Sequence, residues 1–231
     1  MSSQTVGVGR GVDPARVVPT DDQLKYASEQ AWAALRHTSA VDRLRAYYDR
    51  DGGYAGSTFL TLGENNPREI DATDLFAVSL LNVKVGPLAC RMLLESRANQ
   101  LAISEALCAI PVDANLADAS DEVWLAAERL YQLVKDHLGT NAWVTASKLC
   151  ARKRPDFFPV RDNVVTFNRL HVGRDYWVDW AVYRHLIGNT GIQEKLQALT
   201  HLARTNNARH VEISDPPLKV LDALLWMSSP K

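Results

Sequence analysis

Cysteine is scarce, long apolar runs are missing, and none of the common nucleotide- or metal-binding signatures is present. The three cysteines, Cys90, Cys108 and Cys150, are odd in number and widely separated. That pattern excludes a disulfide framework and a zinc knuckle, and an iron–sulfur cluster would need clustered thiolates. Each cysteine lies in an apolar helical context, which predicts buried free thiols. His37, His137, His171, His185, His201 and His210 stand at no metal-ligand spacing, so no metal is expected. A Gly-x-Ser-x-Gly elbow, a phosphate-binding P-loop and a dinucleotide fingerprint are all missing. Their absence removes the common hydrolase, NTPase and dehydrogenase readings and leaves no cofactor to expect. The N-terminus has no apolar core of the kind a signal peptide carries, and no stretch approaches the roughly 18 apolar residues of a membrane-spanning helix. The expectation is a cytoplasmic protein with no membrane partner and no obligate protein partner.

What is present is helical. With 231 residues, 46% hydrophobic and 23% charged, the chain can bury one sizeable core or two small ones. Residues 1–19 are rich in Gly, Ser and Val without a period and read as a loose arm. Thr20 opens a helix, with Gln23 completing a capping box, and Ser39 opens a second that stops at Asp51-Gly52-Gly53. Tyr54 to Phe59 is the least helical passage and reads as a short strand or an ordered loop. Asp71 or Thr73 caps the next helix, Pro87 sits in the first turn of another running to about Ala98, and a short one covers Leu101 to Ala109. Residues 20–110 thus form a first helical lobe, and Pro111 to Ala119 connects it to a second over 120–231. There Ser120 caps a helix whose Val123, Ala127, Leu130, Val134 and Leu138 make one apolar stripe. Gly139 ends it, and a new helix begins within a few residues and runs to about Lys153, so 120–153 is a helical hairpin. Pro155 stops that helix, and further helices are predicted over about 162–170, 175–187, 191–204 and 217–227. No internal repeat and no sustained strand alternation appear, so the predicted fold is all-α, or nearly so, in two lobes.

Net charge is −1, which announces neither nucleic acid nor membrane, but the charge is unevenly placed. Residues 141–174 hold Lys148, Arg152, Lys153, Arg154, Arg161, Arg169 and Arg174 against Asp156 and Asp162, leaving the remainder of the chain strongly acidic. Such a segment is either a solvated helix face or an anion-facing surface. A hairpin turn offers backbone N–H groups at a helix N-terminus, which suits a phosphate of a DNA strand. Gly139, Thr140 and Asn141 form that turn. Arg152, Lys153 and Arg154 would neutralise flanking phosphates, with Arg161 and Asn163 beside them.

The passage from Gly139 to Val165 resembles the helix-hairpin-helix DNA glycosylase superfamily. Thr145-Ala146 in the second hairpin helix precedes Asp162 by seventeen and sixteen positions, and Pro159-Val160-Arg161-Asp162 differs from the superfamily's Pro-Val-Asp element by one inserted residue. The likeness covers roughly residues 120–170. Two departures stand out: the superfamily hairpin usually reads Gly-x-Gly, and Val144 occupies the place of the nucleophilic lysine of bifunctional members. The resemblance therefore implies a monofunctional glycosylase acting on double-stranded DNA. A base would be flipped into a pocket between lobes, Asp162 would stabilise the oxocarbenium-like sugar and orient the attacking water, and an abasic site would remain. Lys148, one turn beyond Val144, is a substitute candidate for the missing amine. Read without the resemblance, an Asp at a helix start is an N-cap, a role that does not exclude catalysis. The N-terminal half also resembles an uncharacterised bacterial family, through Tyr54 to Phe59 (Tyr-Ala-Gly-x-x-Phe) and Asp74 to Val78 (Asp-Leu-Phe-Ala-Val). Glycosylases of bacterial antiviral systems strip hypermodified bases, such as glucosylated hydroxymethylcytosine, from phage DNA, and a stand-alone chain of this kind fits among them.

Tyr47, Tyr48, Tyr54 and Phe59 cluster around the Gly-rich break and could stack a flipped base; equally, they could be core. Trp143, beside the turn, packs inward or touches DNA. Trp177, Trp180 and Tyr183 have the spacing of core residues. The alternative to an enzyme is a helical module that binds DNA or another protein without cutting.

Overall fold

A computed structural model describes residues 18–139, 142–173, 175–205 and 211–229. Most of the expected arm (residues 1–17), the turn residues Thr140 and Asn141, and Arg174 lie outside the described residues. The fold is all-α. In order, the helices are α1 (Asp21–Leu35), α2 (Ala40–Tyr48), α3 (Ala72–Ser79), α4 (Pro87–Leu94), α5 (Arg97–Cys108), α6 (Asp121–Leu138), α7 (Trp143–Lys153), α8 (Tyr176–Ile187), α9 (Thr190–Arg204) and α10 (Pro217–Met227). A 3₁₀ turn spans Ala55–Thr58 and a short π-helix spans Asn163–Arg169. Among the described residues there is no strand, only an isolated bridge between Asp49 and Val211.

Local chemistry sets most of these boundaries. The Thr20 hydroxyl accepts from the Gln23 backbone N–H at 3.2 Å, while the Gln23 side chain accepts from the Thr20 N–H at 2.9 Å, closing the capping box. Asp71 and Asp74 make the same reciprocal pair at α3. Ser120 caps α6, and Pro87 occupies the first turn of α4. Ser39 stands before α2 but makes no side-chain cap bond; its ψ of 13° is not the extended conformation that aims a hydroxyl at the first turn. The passage from Tyr54 to Phe59 is no strand, because Gly56 lies against the Tyr47 hydroxyl. A Cβ there would stand 2.6 Å from that oxygen, so the chain coils tightly over α2. α4 ends at Leu94 rather than near Ala98, and α5 starts afresh at Arg97.

The packing does not follow chain order. α1 packs on α8, α9 and α10, and α2 packs on α9 and α10. α3 packs on α7, α4 and α5 pack on α6, and α6 packs on α7. The first two helices therefore belong with the last three, and α3–α7 form the other group; the chain-order lobes 20–110 and 120–231 miss this return. One continuous apolar cluster joins the groups, from Ala27 and Leu44 through Leu107, Leu130 and Leu149 to Trp180 and Leu224. Each such fully buried Leu or Trp contributes about 1.5–3 kcal/mol. Trp180 and Tyr183 are core, as their spacing predicts, and Trp124, Tyr131, Phe157, Phe158 and Tyr176 edge-pack around Trp180. Of the cysteines, Cys150 is buried, Cys90 half-buried and Cys108 exposed; all are free. Cys108 departs from the expected burial because it ends α5 on the solvent side. No helix among the described residues is long and apolar enough to cross a membrane.

Candidate active site beside the helical hairpin

α6 and α7 form the predicted hairpin, with α6 ending at Gly139 in a left-handed conformation (φ 91°) that a side chain rarely adopts. α7 then carries Ser147 into the interior, where it organises the loop that follows. The Ser147 hydroxyl donates to the Pro159 carbonyl at 2.8 Å and accepts from the Arg161 N–H at 3.0 Å. From the other side, α10 supplies Lys219, whose Nζ donates to the Phe158 carbonyl at 2.5 Å, and Asp222, which accepts from the Val160 N–H at 2.9 Å. Phe158, Pro159, Val160 and Arg161 are each held by a buried side chain. A loop with its polar groups met this way has one conformation.

That loop delivers Asp162. Its backbone is extended, and its carboxylate accepts from the Val165 N–H at 2.7 Å, so it is the N-cap of the short π-helix. The side chain is half-buried. Burial raises its pKa, opposed by the bonds from the Val165 and Val164 N–H groups and by the charge of Lys148. Lys148 is 6% exposed and donates to the Leu81 carbonyl at 2.7 Å. Burial lowers its pKa to about 8, against the nearby Asp162 charge, which favours the ammonium. The two groups sense one another without forming a direct ion pair. The arrangement holds a half-buried carboxylate whose pKa burial raises, with a weakened ammonium behind it that can exchange a proton near pH 8.

The basic segment is not a surface. Arg152, Lys153, Arg154 and Arg161 are 0–2% exposed, which overturns their expected role as phosphate contacts. Arg152 bonds Asp74 at 2.7 Å and the Phe59 and Leu62 carbonyls at 2.5 and 2.6 Å. Lys153 completes the pair with Asp74 at 2.5 Å and reaches Asn65 and the Asn66 carbonyl. Arg154 donates to the carbonyls of Pro67, Leu107 and Ile110. Arg161 pairs with Asp179 and donates to the Tyr131 hydroxyl. The cause is physical: buried loop carbonyls need donors, and a guanidinium supplies five in a rigid fork. Of the other expected DNA contacts, Gly139 and Asn163 are exposed, while Thr140 and Asn141 fall outside the described residues.

The aromatic residues divide. Tyr48 and Phe59 are buried core, which removes them from any base pocket. Tyr47 stacks with Tyr54 and meets Trp226 edge-on at 6.3 Å in a partly buried cluster, and Tyr54 meets Trp226 at 5.8 Å. Trp143 is half-buried, packed on Phe167 at 5.1 Å with the Arg161 guanidinium 5.0 Å from its ring, so it faces inward.

Several functional partners escape a reading of the sequence. Asp74 presents itself as a capping residue, and its buried cations lie 78 and 79 positions away. Asp179 sits inside an aromatic helix with no local cue. Lys219 and Asp222 do carry a signal, their i, i+3 spacing on an otherwise apolar helix.

Hairpin, pinned loop and helix-capping carboxylate define an all-α protein with a half-buried acid, Asp162, held at a helix N-cap after its hairpin. The chain belongs to a family of unknown function (DUF6308), whose profile matches residues 40–229. No curated protein and no solved structure matches it significantly.

Proposed function

We propose that this protein is a monofunctional DNA glycosylase that removes a damaged or modified base from double-stranded DNA. The observation that carries the reading is Asp162: a half-buried carboxylate, fixed by a fully bonded loop at a helix N-cap, one helix away from a hairpin turn. An ionised acid in that position favours positive charge developing on a flipped sugar and orients water for attack on its anomeric carbon. Lys148 helps to keep Asp162 ionised. With Val144 in place of the superfamily's lysine, the product is an abasic site rather than a nicked strand. Hypermodified phage bases are the preferred substrate class to test, alongside ordinary lesions.

Incubation with duplexes carrying such bases, followed by alkali, reads out abasic sites. Asp162→Asn is expected to lose about 10²–10⁴-fold in base release while keeping DNA affinity. Equal base release by Asp162→Asn, or none from any duplex by the native chain, ends the proposal. A second reading, a non-catalytic interaction module, draws on Phe76, Leu88 and Leu101, which are 71%, 68% and 52% exposed on α3–α5.

A further inference from the structure

A circuit of contacts leaves Asp162 on one side and returns to it on the other. On the α7 side, Ser147 accepts from the Arg161 N–H at 3.0 Å, and Lys148, the next residue of α7, donates to the Leu81 carbonyl at 2.7 Å. Leu81 and Tyr47 meet at Gly56, where a Cβ would stand 3.0 Å from Leu81 Cδ2 and 2.6 Å from Tyr47 Oη. Tyr47 and its stacked neighbour Tyr54 meet Trp226 at 6.3 and 5.8 Å. Trp226 lies one turn past Asp222 on the same side of α10, and Asp222 holds the Val160 N–H at 2.9 Å, two residues before Asp162. Asp162, Leu81, Gly56, Tyr47, Tyr54 and Trp226 are all half-buried, whereas their chain neighbours Tyr48 and Leu225 are sealed in the core.

The polar group inside this circuit is Lys148. It is 6% exposed, and among the described residues its Nζ makes one hydrogen bond, to the Leu81 carbonyl. An ammonium has three N–H groups, and Lys153, equally deep one turn further on, engages Asp74, Asn65 and the Asn66 carbonyl. Two N–H groups of Lys148 are therefore left to donate, beside a half-buried aromatic trio and one turn of chain from the acid. We propose that this ring of contacts is the recess that receives the extruded base, stacked beside Tyr54 and Trp226, and that the base carries a carbonyl oxygen which accepts from Lys148. Aromatic walls take the face of any base, while a donor at the base of the recess selects among them. Pyrimidine and guanine derivatives carry the required oxygen, and adenine does not. The recess rests on the glycosylase reading of Asp162 for its occupant, and the two are tested apart.

The test uses the full chain and two free ribosides: uridine, which carries carbonyl oxygens, and purine riboside, which carries none. Saturation-transfer NMR reads their binding without any cleavage, and the native chain is expected to bind both. Trp226→Leu should weaken both about tenfold, while Trp226→Phe, which keeps a ring, should lose much less. Lys148→Met should weaken uridine about tenfold and purine riboside less than about twofold, and Lys148→Gln, which keeps N–H donors, should restore most of the difference. Circular dichroism checks that each variant is folded. Asp162→Asn should leave both ribosides bound, so a loss of base release in that variant reports on the acid alone. If the ribosides behave as stated but no duplex loses a base, the recess stands as a site for a carbonyl-bearing ring and the glycosylase reading fails. Absent binding to the native chain, or equal binding by all variants, overturns the recess whatever Asp162 does. Equal losses of the two ribosides in Lys148→Met overturn the carbonyl assignment.

Discussion

Single residues in this protein take their roles from partners far along the chain. Asp74 holds two cations at once, and removing its charge strands both in the interior. Asp74→Asn is expected to cost about 3–5 kcal/mol, seen as a lower urea midpoint. Arg152→Met should be comparably damaging, because the Phe59 and Leu62 carbonyls lose their donors. If instead these variants fold normally and merely flatten the salt dependence of DNA binding, the cations are surface groups after all. Lys148 makes a different prediction. Its folded pKa of about 8 lies below the ordinary lysine value, so the folded state binds that proton less tightly than the unfolded chain does. Its contribution to stability is present above the unfolded pKa and is lost as pH falls toward 8. The native chain should therefore gain on Lys148→Met by on the order of 2–3 kcal/mol between pH 8 and 10.5. A constant gap between their urea midpoints refutes the assignment. A run of basic residues specifies charge but not exposure, which is why 152–154 reads as a rim in the sequence and is an internal brace in the fold.

Elements were far more legible. Capping boxes, Pro87, Ser120 and Gly139 are local devices, and each marks its boundary because the bonds involved span three or four residues. The hairpin follows from one apolar stripe and one glycine. What the pattern could not reveal is how the loop after Pro155 is held, since Ser147, Lys219 and Asp222 converge on it from two helices. Ser147→Ala leaves the Pro159 carbonyl and Arg161 N–H without partners and should cost about 1–3 kcal/mol. If Asp162 acts on DNA, that variant should also slow base release with little change in duplex affinity, because it loosens the acid and not the grip. Calorimetry and single-turnover assays on the same preparation separate the two effects.

At the scale of the whole molecule, the return of α1 and α2 to α8–α10 was hidden from the sequence, because amphipathic stripes show that a face is buried but not which helix covers it. A chain divided in the Pro111 to Ala119 connector should therefore not give two folded halves. Residues 1–112 alone are expected to lack the cooperative unfolding of the intact protein by circular dichroism, and to recover it when mixed with 113–231. Independent folding of either fragment contradicts the packing. The same arrangement has a bearing on synthesis. As the polypeptide leaves the ribosome, α1 and α2 lack most of their packing partners until α8, α9 and α10 have been made. The middle block can settle first, while the leading helices wait as sticky, half-formed guests open to chaperones. Premature stops shortly before Pro217 would then release chains prone to aggregate from their N-terminal end.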